Sequence, residues 1–223
     1  MTENKVAKKN TVIVLSIILV LIVVASLAAR LYLFTKEQSL QEQSQQLVGL
    51  GFYKFEQPRI LSDVPMLNLQ GEAKSFTQHL SGWRLVNFGY MFCPDICPIN
   101  LALLHAVKTE WDKQANAPAL KVLHVTFDPA RDTPELLKEY LNYMDPSFYG
   151  LTGELEDIQR LSQQLSMVFR HEKANKLGHY FISHSDAMAL INPQGKYVGL
   201  FKGPYQKANM IQVLNLLLMD ARR

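Results

Sequence analysis

The chain has 223 residues, of which 48% are hydrophobic and 10% aromatic, enough for one medium-sized domain with a hydrophobic core and an additional segment. The formal net charge is only +3, and much of the positive excess lies near the two ends of the chain. Because a nucleic-acid-binding protein needs a clustered basic face and the sequence has none, that class is excluded.

The first element in chain order is an apolar run, residues 12–29, which contains no charged residue. As a helix it extends about 27 Å, close to the hydrocarbon thickness of a bilayer. Lys5, Lys8 and Lys9 precede it and favour a cytoplasmic N-terminus. The sequence therefore predicts a single-pass anchor in the inner membrane, with residues 1–11 in the cytoplasm and the remainder in the periplasm or an equivalent exported compartment. A cleaved signal peptide is the main alternative.

Residues 30–51 follow the anchor, and their central part is rich in Gln, Glu and Ser. This composition predicts a polar tether or a short helix that holds the next domain away from the membrane. The globular domain is predicted to occupy residues 52–223.

Hydrophobic periodicity divides this domain into strands and helices. The predicted strands are 66–71, 84–90, 119–127, 186–191 and 196–201, and the predicted helices are 98–111, 132–144, 152–169 and 207–219. Strands that alternate with helices indicate an α/β sheet with crossover connections, and a closing hairpin followed by a helix is typical of thioredoxin. The predicted fold class is α/β, a thioredoxin-like fold with an N-terminal single transmembrane helix.

The only two cysteines of the chain, Cys93 and Cys97, lie between strand 84–90 and the helix that begins at Pro98. Chemistry is expected where a central strand ends and a helix begins. The positive end of the helix favours thiolates, and the four-residue spacing places both sulfurs on one face. A redox pair and a soft-metal site both remain open. A structural disulfide is disfavoured, since so small a loop restricts the unfolded chain little.

A metal site needs a third ligand, and the chain offers six histidines. His184 is the candidate because it immediately precedes strand 186–191, in a loop that faces the cysteines of a thioredoxin-like sheet. Asp186 or a nearby backbone carbonyl can orient its ring. Two thiolates favour Cu(I), and an added imidazole also suits Cu(II) or Zn(II), so the identity of the ion stays open at this point.

A second polar block, Asp128–Arg131–Asp132, lies between a predicted strand and a predicted helix. Arg131 is predicted to pair with a nearby carboxylate. A structural role is favoured for the block, and the alternative for Asp128 is docking or support of the metal site.

Four stretches, NFGYMFCPDICP, FDPARDTPELLKEYL, FYGLTG and HSDAMALINPQGKYVGLF, resemble the Sco/SenC family in content and order. These are membrane-anchored, thioredoxin-like copper proteins of cytochrome c oxidase assembly. The resemblance implies that Cys93, Cys97 and His184 bind copper, as Cu(I) or Cu(II). Met91, Phe92 and His124 depart from the residues usual in the family at their positions.

The resemblance also implies a function for the exported domain. It is expected to deliver copper to the binuclear copper centre of cytochrome c oxidase subunit II, or to another exported cuproprotein, or to reduce the cysteines of that centre. The protein is then a metallochaperone, expected to be monomeric, rather than a metabolic enzyme. A general thiol–disulfide oxidoreductase of the exported compartment is the alternative.

Overall fold

The structure is a computed structural model that describes the backbone of residues 3–78 and 82–219, with side chains from residue 19 onward within those ranges. The chain divides into two units, Met1–Gln46 and Leu47–Arg223. The ends of the predicted cytoplasmic tail and exported domain, residues 1–2 and 220–223, lie outside the described residues. The boundaries predicted for tail, anchor, tether and domain remain predictions.

The first unit consists of helix α1, which spans Glu3–Gly49 and continues into the first residues of the second unit. Its segment Leu19–Gly49 has a mean hydropathy of 1.8 in its most apolar window and no buried residue there. Among the described residues it is the one helix whose length and composition suffice to cross a membrane, and a signal sequence has the same properties. The sequence predicted a polar tether or a short helix for residues 30–51, and in the structure residues 30–49 are helical and continue α1.

Within the described ranges the second unit contains ten strands, four further α-helices and a π-helical turn. The strands are Phe52–Arg59 (β1), Pro65–Asn68 (β2), Ala73–Ser75 (β3), Trp83–Gly89 (β4), Leu120–Thr126 (β5), Tyr149–Thr152 (β6), Phe169–His171 (β7), Ile182–His184 (β8), Ala187–Ile191 (β9) and Tyr197–Lys202 (β10). The helices are Ile96–Asp112 (α2), Pro134–Met144 (α3), Leu155–Gln164 (α4) and Lys207–Leu214 (α5), and the π-helical turn is Asn215–Met219.

Eight of the strands form one sheet in the order β1-β10-β9-β4-β5-β6-β2-β3, and β7 and β8 form a separate antiparallel hairpin. Strands β4 and β5 are parallel neighbours in the centre of the sheet, and almost all of their residues are buried. Continuous apolar runs are typical of strands with both faces covered. One face packs against α4, and the other packs against α2, α3 and α5. This layered sheet places the end of β4 beside the first turn of α2.

The structure confirms the four central and closing strands and the thioredoxin-like order of elements. The predicted helix 152–169 is wrong at both ends. Leu151 is buried in β6, which pairs with β5, and the helix α4 begins only at Leu155. At the other end, Ser166 has a positive φ of 61°, a conformation that stops a helix, and the chain then enters β7.

Two smaller differences concern helix ends. Helix α2 begins at Ile96, two residues before the predicted start, so Cys97 lies in its first turn. The last predicted helix, 207–219, is α-helical only to Leu214. Strand β1 and the short strands β3, β6, β7 and β8 were absent from the sequence prediction.

Candidate metal centre

The three residues predicted as a metal site come together at one end of the central sheet. One donor atom each from Cys93, Cys97 and His184 lies within 4.8 Å of the others. The sulfur of Cys97 is 3.6 Å from Nε2 of His184. Cys97 is buried, and the other two are half-buried. The group is therefore compact and open to solvent on the side of Cys93 and His184.

A buried carboxylate holds the start of the cysteine loop. Oδ2 of Asp132 accepts hydrogen bonds from the backbone N–H of Met91, at 3.1 Å, and from the hydroxyl of Thr126, at 2.5 Å. The N–H of Cys93 donates to the carbonyl of Tyr90 at 3.2 Å. These bonds fix the turn that carries the chain from β4 into α2 and place Cys93 above the buried Cys97.

Gly89, the last residue of β4, allows the first turn of α2 to approach the sheet closely. A Cβ atom at this position would lie 2.9 Å from the sulfur of Cys97 and 2.9 Å from Cε1 of His124. Both distances are well below ordinary van der Waals contact. A residue without a side chain is therefore required between the sulfur and the imidazole of His124.

His184 presents a lone pair to the cysteines. Its Nδ1 is 2.9 Å from the carbonyl oxygen of Ser185, which can only accept, so Nδ1 carries the proton and donates it there. In the neutral ring Nε2 is the unprotonated nitrogen, and it faces the sulfur of Cys97. Of the two partners predicted for the ring, the backbone carbonyl is the one observed.

Asp186 takes a different role from the one predicted. Its Oδ1 accepts hydrogen bonds from Nδ2 of Asn100, at 2.9 Å, and from the hydroxyl of Tyr205, at 3.0 Å. Asn100 is on α2, three residues after Cys97, so the carboxylate ties the helix that bears the cysteine to the start of β9.

Aromatic rings form the apolar wall of the centre. The ring of His184 lies 5.1 Å from that of Phe127 and 6.4 Å, edge to face, from that of Tyr90. Phe127 also packs on Phe88 and Phe169. This wall covers the inner side of the imidazole.

Burial changes the protonation of Cys97. Loss of solvation raises the pKa of its thiol, and the neighbouring thiol of Cys93 raises it further. Position at a helix start predicts a thiolate, but desolvation outweighs that effect here. Cys97 is therefore a thiol in the metal-free protein, with its sulfur 3.6 Å from Nε2 of His184.

His124 was noted in the sequence as unusual but was assigned no role. It is fully buried on β5, Nδ2 of Asn87 donates to its Nδ1 at 3.1 Å, and its Nε2 has no hydrogen-bond partner among the described residues. Desolvation, assisted by His184, lowers the pKa of its imidazole to about 4. A neutral imidazole thus lies beneath the centre, and a polar residue inside an apolar strand was the signal for it.

The block Asp128–Arg131–Asp132 borders the same site. Arg131 forms an ion pair with the fully buried Asp128, which confirms the predicted pairing. Of the remaining histidines, His105 pairs with Asp145 at the surface, at 2.8 Å, and does not join the cysteines.

Comparisons with known proteins place the chain in a family. The SCO1/SenC family model matches residues 56–219. A putative copper-binding protein of Stutzerimonas stutzeri is 36% identical over 162 residues, which are 71% of this chain and 78% of that protein. The protein SCO1 homolog, mitochondrial, of Homo sapiens is 28% identical over 166 residues, 74% of this chain and 53% of the human protein. The chain thus spans about half the length of that relative.

Solved structures give the same result for the fold. The crystal structure of yeast Sco1 with copper bound has a TM-score of 0.66 and 27% identity, and the match covers 72% of this chain and 88% of that one. Arabidopsis thaliana ScoI with copper bound has a TM-score of 0.64 at 24% identity, over 70% of this chain and 96% of that one.

Proposed function

Because this chain belongs to the SCO1/SenC family, we propose that it is a copper-binding protein of cytochrome c oxidase assembly in which Cys93, Cys97 and His184 hold the ion. The observation that carries the proposal is the convergence of two sulfurs and one unprotonated imidazole nitrogen within 4.8 Å. We also propose that α1 anchors the protein in the inner membrane, with the second unit in the periplasm or an equivalent exported compartment.

The donor set suits copper in both oxidation states. Soft sulfur ligands favour Cu(I), and an imidazole nitrogen adds the harder donor that Cu(II) requires. Both thiols are free of a disulfide, so both can ligate once they lose their protons. The proton of Cys97 has an acceptor at 3.6 Å, Nε2 of His184, and must leave the site as the ion takes its place.

Copper is the cargo in this function. Cys93 and His184 are half-buried, so ligands of a partner can reach the ion from the open side while Cys97 keeps its contact from below. The proposed recipient is the binuclear copper centre of cytochrome c oxidase subunit II, or another exported cuproprotein.

Thiol reduction is the second candidate, and the proximity of the two thiols favours it. In that reaction the more exposed Cys93 attacks a disulfide of the partner and forms a mixed disulfide. Cys97 then displaces the partner's sulfur, so the partner gains two thiols while Cys93 and Cys97 become a disulfide. The protons of the two thiols pass to the sulfurs released from the partner.

The ligand assignment is tested on the full chain in detergent, reduced and titrated with Cu(I) and with Cu(II). His184→Ala should lose the thiolate-to-Cu(II) charge-transfer absorption and keep most Cu(I) binding, because two thiolates alone can hold Cu(I). Cys93→Ser and Cys97→Ser should weaken both. His105→Ala and His179→Ala are controls. A Cu(II) spectrum unchanged in His184→Ala would refute the assignment.

Delivery and reduction are separated with the isolated copper domain of subunit II. A copper-carrying protein should transfer the ion to the reduced domain, whereas a reductase should convert the oxidised domain to its dithiol form without copper. Failure of transfer together with rapid reduction would select the second candidate.

A further inference from the structure

The histidine of the centre lies on a hairpin that is separate from the main sheet. Among the strands of the described residues, β7 and β8 pair only with each other, and His184 is the last residue of β8. The attachments of this hairpin therefore decide where the imidazole stands. We propose that Asp128, Arg131 and Tyr180 form a clamp that positions His184, an inference that rests on the proposed copper function.

The three residues are joined by a closed set of contacts. Arg131 forms an ion pair with Asp128, and the hydroxyl of Tyr180 donates to Oδ1 of the same carboxylate at 2.7 Å. Nη1 of Arg131 donates to the carbonyl oxygen of Tyr180 at 3.3 Å, and the guanidinium lies 3.8 Å from the centroid of the tyrosine ring. Tyr180 comes two residues before β8, so the clamp fixes the chain where it enters that strand.

The same guanidinium borders the loop that carries the cysteines. It lies 4.9 Å from the ring centroid of Phe92, the neighbour of Cys93, and 5.8 Å from that of Tyr90. The hydroxyl of Tyr90 accepts a hydrogen bond from the N–H of Ile182 at 3.3 Å, two residues before His184. One cation thus touches both segments that supply donor atoms.

The guanidinium of Arg131 is held by a small set of contacts. Nη2 of Arg131 is buried and makes no hydrogen bond to any described residue, so its carboxylate partner and the aromatic rings hold the guanidinium. The hairpin also contacts the domain through the ring of Phe169, 4.4 Å from that of Phe127, and through the buried side chain of Ile182. Val168 and Ser185 close its open end with two hydrogen bonds of 2.8 and 3.0 Å. These apolar contacts hold the strands against the domain, and the clamp adds the polar link between the hairpin and the cysteine loop.

The clamp should matter for one oxidation state of copper more than for the other. Two thiolates can hold Cu(I), whereas Cu(II) depends on the nitrogen of His184. Arg131→Lys keeps the positive charge but removes the planar fork and the stacking surface. Tyr180→Phe keeps the ring and removes only the hydrogen bond to Asp128. Both changes leave every donor atom of the centre in the protein.

The experiment measures Cu(II) and Cu(I) affinity of the full chain in detergent. Arg131→Lys should lower the Cu(II) affinity by about tenfold, which is the lower end of the range for residues that orient a metal ligand. Tyr180→Phe should also lower the Cu(II) affinity, but by less. Cu(I) affinity should change less than about threefold by the same argument. Arg160→Lys is the matched control, because Arg160 forms an ion pair of the same spacing with Asp157 on α4.

A double variant shows whether the clamp acts through the histidine. In a His184→Ala background, Arg131→Lys should lower Cu(II) affinity no further, because the group that it positions is already absent. Equal losses for Cu(I) and Cu(II), or a full additional loss in the double variant, would overturn the proposal.

Hydrogen exchange of the metal-free proteins tests the clamp independently of copper. Amides of residues 169–184 should exchange faster in Arg131→Lys and Tyr180→Phe than in Arg160→Lys. If the parent chain bound no copper, the proposed function would be refuted, but hydrogen exchange would still show whether the clamp holds the hairpin. Unchanged exchange in both variants would refute it. If Arg131→Lys does not fold, the test is made with Tyr180→Phe, which is the milder change.

Discussion

Asp132→Asn should reveal a dependence of stability on pH that the parent chain hides. Asp132 and His124 are both fully buried close to the centre. Desolvation raises the pKa of the Asp132 carboxyl from 3.8 to about 6 and lowers the pKa of the His124 imidazole from 6.5 to about 4. Between pH 4 and 6 the folded protein therefore holds one proton more than the unfolded chain at Asp132 and one fewer at His124.

The two contributions to the free energy of unfolding have opposite signs. The stability that Asp132 contributes is present below pH 3.8 and is lost as the pH rises through about 6. The stability that His124 contributes is present above pH 6.5 and is lost as the pH falls through about 4. At about 1.4 kcal/mol per pKa unit, each amounts to about 3 kcal/mol over its full range, so the two nearly cancel in the parent chain.

Urea unfolding of the metal-free full chain between pH 4 and 7 measures this, with the fluorescence of the two tryptophans, both in the second unit, as the signal. Relative to the parent, Asp132→Asn should gain about 2–3 kcal/mol of unfolding free energy as the pH rises from 4 to 6.5. His124→Phe should lose a similar amount over the same interval. The pH-independent cost of each substitution moves its whole curve without changing the slope. Curves parallel to that of the parent for both variants would refute the reasoning.

Three further predictions concern the centre and the anchor. Gly89→Ala should destabilise the domain by about 1–3 kcal/mol, because the added carbon is packed too closely against Cys97 and His124, and each kcal/mol should lower Tm by about 2–4 °C. It should also weaken Cu(I) binding. Gly49→Ala, whose added carbon meets no atom within 4 Å, should change neither Tm nor Cu(I) binding. Protein whose cysteines have been oxidised to a disulfide should bind little copper, and equal uptake by oxidised and reduced protein, measured by metal analysis after desalting, would contradict a two-thiolate site. A reporter enzyme that is active only outside the cytoplasm should be active and membrane-bound when fused after Arg223, and full release into the soluble exported fraction would indicate a cleaved signal peptide.

The central part of the fold could be predicted because its elements have strong local patterns. Strands β4 and β5 are continuous apolar runs. The sequence marks the start of helix α3 with Thr133 and Pro134, and in the structure Thr133 is the N-cap and Pro134 is the first residue of the helix. Strand β1 was missed because it alternates weakly and contains Pro58 in an edge position. The strands β7 and β8 have three residues each, too few for any period to be visible.

The candidate site was predictable for a similar reason, and its surroundings were not. Cys93 and Cys97 are neighbours in the sequence at a strand-to-helix junction, and His184 precedes a recognisable strand. The clamp joins Asp128 to Tyr180, which are 52 positions apart, through one hydroxyl group and one ring face. No local pattern encodes such a contact. Burial of Cys97, which reverses the expected effect of the helix start on its pKa, likewise depends on Gly89 and on the packing of α2 against the sheet.

The placement of the three donors bears on how the proposed cargo is held and released. Cys93 and Cys97 lie on the loop and helix that follow the central strand, and their positions are fixed by Asp132 and by the packing at Gly89. His184 lies on a hairpin with its own two strands and its own attachments. The nitrogen ligand and the sulfurs therefore lie on different segments, which Arg131 joins. Since Cu(I) tolerates loss of the nitrogen and Cu(II) does not, we expect any displacement of the hairpin to weaken Cu(II) binding more than Cu(I) binding.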